Sequence, residues 1–377
     1  MPTIVFGGAF DPPHKEHVRA LKCAVGTLGA GRVVVLPTYL PPHKSAGYLP
    51  FATRAELARL AFEGEVGAEV VVDREEERRG KDNYAYVLLG EMKKRYGDIV
   101  YLIGGDSLRD IGTWRHPEKI FRECPVAVAP RKGAGDAAKL RRKALETYGG
   151  EVIMLDFEGD DVSSGRVKAE LLMGLGCDAV PQKVMRYIES HGLFGEYREW
   201  MEKLRGMESE ELLDHSASAV MRAVDLNSRH NLKQDFCKVF EAALLHDNAK
   251  ERPSLDGLDV PEDSVGTPVL HQFLGAEKAK RDFGVTETDI LDAIRYHTTA
   301  KPDMTVLEKL IYTADSTSYD REYEPIPQLR AATDADFERG FEEVLAYTYA
   351  KLKKKGGKVY PLTEEAVRYY LPQLAAE

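Results

Sequence analysis

The sequence has no CxxC pair, no surplus of basic residues and no apolar run long enough to span a bilayer. Its four cysteines, Cys23, Cys124, Cys177 and Cys237, are scattered along 377 residues. That spacing excludes the dense disulfide framework of small secreted domains and points to reduced thiols. With 62 acidic against 52 basic residues the formal net charge is −10, so no cationic footprint exists for sequence-independent binding to a nucleic-acid backbone. Neither nucleic acid nor membrane is expected as a partner. The opening TIVF runs into a strand pattern with no basic leader or cleavage signature, and a cytoplasmic location is expected.

What is present is an ordinary globular mixture, 43% hydrophobic and 30% charged, in a chain longer than one core organises. From Met1 to about Phe194 short apolar runs (TIVF, RVVVLP, EVVVD, IVYLIGG, CPVAVAP, EVIMLDF) alternate with amphipathic stretches. This alternation predicts an α/β domain with a parallel sheet wrapped by helices, whose ligands bind at the carboxyl ends of the strands. Beyond Gly195 the pattern is helical throughout: REWMEKLR, ELLDHSASAVMRAV, QDFCKVFEAALLHD, TDILDAIRYH, TVLEKLIYTAD and FERGFEEVLAYTYAKLKKK. The expected domains are 1–195 (α/β) and 196–377 (all-α), since HGLFGEYREW places two glycines just before a new helical period. The charge runs REEERRGK and KLKKK read as solvated faces.

The first strand is followed by GGAFDPPHKEH. Gly7 and Gly8 offer unusual backbone freedom and close approach to a ligand, and Pro12 and Pro13 stiffen the turn that follows. His14 and His17, three apart, share one face near a positive helix N-terminus, which suits a polyphosphate. Taken alone, the pair reads as a helix cap with two surface histidines. Three further segments fall on ligand-side loops: PPHK (Pro41 to Lys44), GGDSLRDIGTW (Gly104 to Trp114) and DVSSGRVK (Asp161 to Lys168).

In this order, and with VPQKVMRYIESHGLF closing the domain, these motifs resemble those of the bacterial nicotinate-nucleotide adenylyltransferases, with a Rossmann-like nucleotidyltransferase fold. The resemblance implies attack of a nicotinate mononucleotide phosphate oxygen on the α-phosphorus of ATP, with Mg2+-bound pyrophosphate leaving and no covalent intermediate. Such catalysis is positioning plus charge stabilisation. It implies catalytic roles for His14, His17 and Lys44. Nucleotide contacts are implied at Gly7, Gly8, Phe10, His43, Tyr84, Gly104, Asp106, Trp114, Arg131, Ser163, Ser164 and Lys168. Four positions depart from the family pattern: Glu16 and Gly165 replace a glycine and a threonine, Lys168 replaces an arginine, and Ala85 replaces the threonine of a Tyr-Thr pair. Glu16 is expected to weaken ATP binding by placing negative charge beside a triphosphate.

In the helical half, His215, the pair His246-Asp247, and Asp315 lie on separate expected helices that a bundle can bring together. Imidazole and carboxylate suit iron, manganese or zinc. With AALLHDNAK, HQFLGAEKAK, AIRYHTT and LEKLIYTAD in order, this half resembles the YqeK-type branch of the HD superfamily, which hydrolyses symmetrical diadenosine tetraphosphate to ADP. That resemblance implies metal ligation by His215, His246, Asp247 and Asp315, with His271 and His297 completing a second site. One or two transition-metal ions are expected, iron first, with manganese or zinc as alternatives. Lys250 is expected to steady the leaving phosphate, and Arg321 follows Asp315 after an altered loop.

The whole chain therefore reads as a bifunctional nucleotide enzyme acting on ATP, nicotinate mononucleotide and dinucleoside polyphosphates, with assembly as a homo-oligomer left open. The alternative readings make the first half a degenerate nucleotide-binding or sensing module, or a transferase with another acceptor, and keep the hydrolase.

Overall fold

The computed structural model describes residues 1–40, 47–80, 83–130, 137–160, 162–356 and 359–375. They form two compact units, the first drawn chiefly from residues 1–194 and the second from 195–377.

In the first unit each apolar run named above becomes a strand: β1 (Thr3–Gly8), β2 (Arg32–Pro37), β3 (Glu69–Val72), β4 (Ile99–Gly104), β5 (Val126–Ala129) and β6 (Val152–Met154). The order is β3-β2-β1-β4-β5-β6 and every pairing is parallel. Helices cover both faces of such a sheet, so the inner strands are apolar on both sides; Ile4, Val5, Val33, Val34 and Val35 are fully buried. The strand order reverses between β1 and β4, which pair with Phe6 opposite Leu102. This reversal opens a crevice beyond their carboxyl ends, where Gly7 and Gly8 end one strand and Gly104 ends the other.

The role expected for the two glycines changes in one respect. Both lie in extended strand, and the left-handed conformation beyond them belongs to Phe10, with φ of 50°. Gly8 supplies space instead, because a Cβ there would stand 3.1 Å from the Phe10 ring. The run at Arg74 to Lys81 also differs from a purely solvated face. It contains the short helix Glu75–Arg79, and Glu76 turns inward to accept the Tyr39 N–H at 2.8 Å. Burial pushes the Glu76 carboxyl up to about 7.

The second unit is helical among the described residues, through Arg198–Met207, Glu210–Arg229, Phe236–Leu245, Leu270–Phe283, Thr288–Arg295, Val306–Ser316, Ile326–Ala335, Phe337–Lys354 and Pro361–Tyr370. Start signals are chemical: Asp235 accepts the N–H groups of Cys237 and Lys238, and Thr305 with Glu308 forms a capping box. One apolar cluster joins Tyr312, Phe341, Val344, Leu345, Ala366 and Val367. The fully buried Arg222 donates to Thr317 Oγ1 (3.1 Å), Asp334 Oδ1 (2.6 Å) and the Arg330 carbonyl (3.2 Å). It thereby fastens Glu210–Arg229 to the end of Val306–Ser316, the two helices that carry His215 and Asp315. No described helix is long and apolar enough to cross a membrane, and no disulfide joins the cysteines.

Candidate active sites

At the crevice of the sheet, His14 caps helix Lys15–Leu28 and His17 is its third residue. Their rings stack at 3.7 Å with 22° between planes. His17 Nδ1 accepts the His14 N–H at 3.2 Å. A neutral His17 with Nδ1 as acceptor carries its proton on Nε2, a donor suited to a phosphate oxygen. The edges of Phe6 and Phe10 hold that ring in place. His14 itself is fully buried.

Glu16, expected to oppose a triphosphate, has its carboxylate committed elsewhere. It pairs with Arg19 and accepts the Asp160 N–H at 3.0 Å. Lys168 is buried in an ion pair with Asp11, Nζ to Oδ2 2.8 Å, and Asp11 also accepts the Leu49 N–H at 3.2 Å. Ser163 Oγ accepts the Arg166 N–H at 3.2 Å, and Ser164 opens the helix Ser164–Leu172. Asp106 lies in the first turn of the helix beginning at Gly105, half-exposed and 3.5 Å from Arg109. Trp114 packs against the apolar cluster under the sheet. Tyr84 caps Ala85–Tyr96 and its hydroxyl accepts from Arg115 Nη1 at 2.8 Å, with the guanidinium 4.7 Å over the ring. Arg115 was not singled out in the sequence, where only its position after Trp114 marks it. His43, Lys44 and Arg131 lie outside the described residues.

In the helical unit all six expected ligands converge. His215, His246, Asp247 and Asp315 form one group of potential donor atoms within 4.8 Å of one another, and Asp247, His271 and His297 form a second. Asp247 is common to both. Its Oδ2 lies 3.3 Å from His246 Nε2 and 3.7 Å from His215 Nε2, and its Oδ1 lies 3.4 Å from Nε2 of both His271 and His297. Asp315 Oδ1 stands 3.0 Å from His215 Nε2 and 3.7 Å from His246 Nε2.

Every imidazole in the centre presents Nε2 inward because its Nδ1 is engaged. The Nδ1 groups of His246, His271 and His297 donate to the carbonyls of Ala243, Pro268 and Ile294, each at 2.7 Å, and that of His215 to Asp320 Oδ2 at 2.9 Å. Anchoring of the outer nitrogen is the arrangement that orients metal-binding histidines. Two of the inward atoms, His246 Nε2 and Asp247 Oδ1, are buried without a hydrogen-bond partner. A cation fits this donor set and would satisfy both atoms.

The electrostatics agree. Burial opposes a charge on His246, yet the carboxylates of Asp247 and Asp315 outweigh it and raise the imidazole to about 10. Asp247 is held well below the usual carboxylate range, burial notwithstanding, by His246 and His297, and Asp315 likewise by Arg321 and His215. The pocket favours positive charge, whether a proton or a metal ion. His271, by contrast, is pushed down to about 4 by burial and by neighbouring His297, which keeps its Nε2 lone pair available.

Two details differ from the sequence reading. His246 and Asp247 sit in the turn just past Phe236–Leu245, and His297 just past Thr288–Arg295, whereas His215, His271 and Asp315 lie within helices. Lys250 donates to Asp247 Oδ2 at 2.5 Å, and Arg321 donates to Asp315 Oδ1 at 2.6 Å. Asp320 and Glu208 were missed. Asp320 lies five residues after Asp315, a spacing that the altered loop obscures, and nothing distinguishes Glu208 among the acids of ESEELLD. Burial pushes the Glu208 carboxyl up to about 7 against the pull of His246.

Residues 5–170 match the cytidylyltransferase-like family model and residues 212–320 the HD domain model. A protein of Gloeobacter violaceus named "Probable nicotinate-nucleotide adenylyltransferase" is 33% identical over 198 residues, 50% of this chain and 94% of that protein. A Mycoplasma genitalium protein named "Probable nicotinate-nucleotide adenylyltransferase/Ap4A hydrolase" is 24% identical over 329 residues, 85% of this chain and 88% of its own. Among solved structures, a "predicted HD superfamily hydrolase involved in NAD metabolism" from Clostridium acetobutylicum is 30% identical, with a TM-score of 0.44, covering 47% of this chain and 98% of that one.

Proposed function

The chain belongs to the nicotinate-nucleotide adenylyltransferase family and carries an HD domain, and from this premise we propose a bifunctional nucleotide enzyme. The sheet unit transfers the adenylyl group of Mg2+-ATP to nicotinate mononucleotide, and the helical unit cleaves symmetrical diadenosine tetraphosphate into two ADP. The observation that carries the hydrolase is Asp247, with one oxygen toward each of two histidine sets whose outer nitrogens are all anchored.

Ions of iron, manganese or zinc held by His215, His246, Asp247 and Asp315, and by Asp247, His271 and His297, would supply a deprotonated water and offset phosphoryl charge. The chain's own groups orient these donors. His215 is fixed by Asp320, and Asp315 is held by Arg321. In the sheet unit His14 and His17 hold the ATP phosphates over the crevice. His17 contributes its Nε2–H to the charge that builds as pyrophosphate leaves. Joining the two activities is chemically economical, because adenylyl transfer onto ATP in place of the mononucleotide yields a dinucleoside polyphosphate that the second site removes.

The test is a product survey of the intact protein: pyrophosphate from ATP and nicotinate mononucleotide with Mg2+, and ADP from diadenosine tetraphosphate with each transition metal. Nucleotide binding without pyrophosphate release would reduce the sheet unit to a binding module. In the same assay His17→Ala lowers the rate of transfer by about 10²-fold, the scale of one lost charge-stabilising donor, and leaves hydrolysis unchanged.

Arg115 bears on which pyridine is accepted. The exposed guanidinium lies over Tyr84 and adjoins Trp114 in sequence, and it offers the cation that a nicotinate carboxylate needs and a nicotinamide does not. Arg115→Ala is expected to raise KM for nicotinate mononucleotide about tenfold, with little change for nicotinamide mononucleotide. Equal losses for the two substrates would remove Arg115 from that role.

A further inference from the structure

Glu208 follows the helix Arg198–Met207 and directly precedes Ser209, the cap of the helix that bears His215. It is only 6% exposed, and neither of its carboxylate oxygens has a hydrogen-bond partner. It is flanked by two elements of the candidate centre: the helix Glu210–Arg229, which bears His215, and the segment Glu251 and Arg252, which follows His246 and Asp247 in the chain and bonds to Ser209 and Gly206.

Its backbone is clamped to the segment that continues from Asp247. Glu251 accepts the Ser209 N–H at 2.8 Å and the Ser209 hydroxyl at 2.5 Å, and Arg252 donates to the Gly206 carbonyl at 3.0 Å. These ties fix the main chain on both sides of Glu208.

A buried carboxyl with nothing to accept is costly, and such a cost persists where the group has work outside the resting fold. The other acids around the centre are committed. Asp247 and Asp315 face the histidines, Asp320 is bonded to His215, and Glu251 is bonded to Ser209. Among the described acids of this centre, Glu208 has both its acceptor oxygens to offer.

We propose that Glu208 takes the proton from the water that attacks the phosphoanhydride, a role that rests on the hydrolase reading above. One O–H bond of the water breaks and its proton passes to a Glu208 carboxylate oxygen. The water oxygen bonds to phosphorus as the bond from phosphorus to the bridging oxygen breaks, and the departing ADP keeps that electron pair. The proton then passes to solvent and the carboxylate is restored.

The experiment uses the full chain, Mn2+ and diadenosine tetraphosphate, and compares wild type with Glu208→Gln. The expected result is a kcat lower by about 10²-fold or more with KM within about twofold, the scale of a lost general base. Bound manganese stays at the wild-type equivalents. The metal-free variant melts at or above the wild-type temperature, because an unpaired buried acid has been removed. Glu208→Asp, which keeps the acid on a shorter stem, turns over faster than the glutamine variant. A glutamine variant with wild-type kcat, one that loses manganese, or one whose metal-free form melts several degrees lower overturns the role. A wild-type protein that leaves the substrate intact overturns the hydrolase reading and this role together, whereas an active wild type beside an equally active variant overturns this role alone.

Discussion

Asp247→Asn is expected to abolish cleavage of diadenosine tetraphosphate while adenylyl transfer continues at the wild-type rate. The side chain keeps its size, so packing is preserved, but the charge that both histidine sets share is lost. Four imidazoles and Asp315 remain, and a single carboxylate is left to balance the positive charge of the bound ions. Metal analysis should fall from the wild-type equivalents to near zero, with hydrolysis lower by at least about 10³-fold, since the rate enhancement of such a site depends on the ions. Full transfer activity in the same preparation shows that the sheet unit has folded, and an unchanged helical circular-dichroism signal shows the same of the helical unit. Wild-type cleavage by a metal-free variant would end the assignment of the centre.

Lys168→Met is expected to destabilise the sheet unit by about 3 kcal/mol, because removing one partner of a buried ion pair leaves the other charge unmatched. Asp11 is only 3% exposed, and among the described residues it keeps the Leu49 N–H and the electrostatic influence of nearby Arg54. In a unit of this size that loss corresponds to a fall in Tm of roughly 6–12 °C. The double variant Asp11→Asn with Lys168→Met should recover part of it, since no uncompensated carboxylate then remains. An unchanged Tm with a raised KM for ATP would show instead that Lys168 serves the nucleotide, as the sequence motif alone suggests.

Six strands and the helical half were legible in the sequence for a physical reason. Continuous runs such as RVVVLP can be buried on both faces only in a covered parallel sheet, and the helical period begins anew after Gly195. Of the six residues of the candidate metal centre, His215, His246, Asp247 and Asp315 were legible as imidazole and carboxylate groups on separate expected helices, and His271 and His297 through the resemblance to the HD superfamily. What stayed hidden depends on distant partners. The charge of Glu16 looks hostile to ATP until Arg19 and the Asp160 backbone are seen to absorb it. That pairing removes one ground for regarding the sheet unit as inactive. Lys168 reads as a phosphate ligand in its motif, and its buried partner Asp11, 157 residues away, leaves no local signal there. Glu208 has no local pattern, and Arg115 and Asp320 have only their positions after Trp114 and Asp315, since each is defined by what the fold places beside it.

Three imidazoles of the candidate metal centre take their orientation from the carbonyl three residues earlier in the chain. A carbonyl belongs to the main chain, so no exchange of side chain at Ala243 or Ile294 deletes the acceptor that steers His246 or His297. Those rings are thus insulated from mutational drift around them. His215 is the exception: its aim depends on the side chain of Asp320, and one codon change there is enough to set it loose.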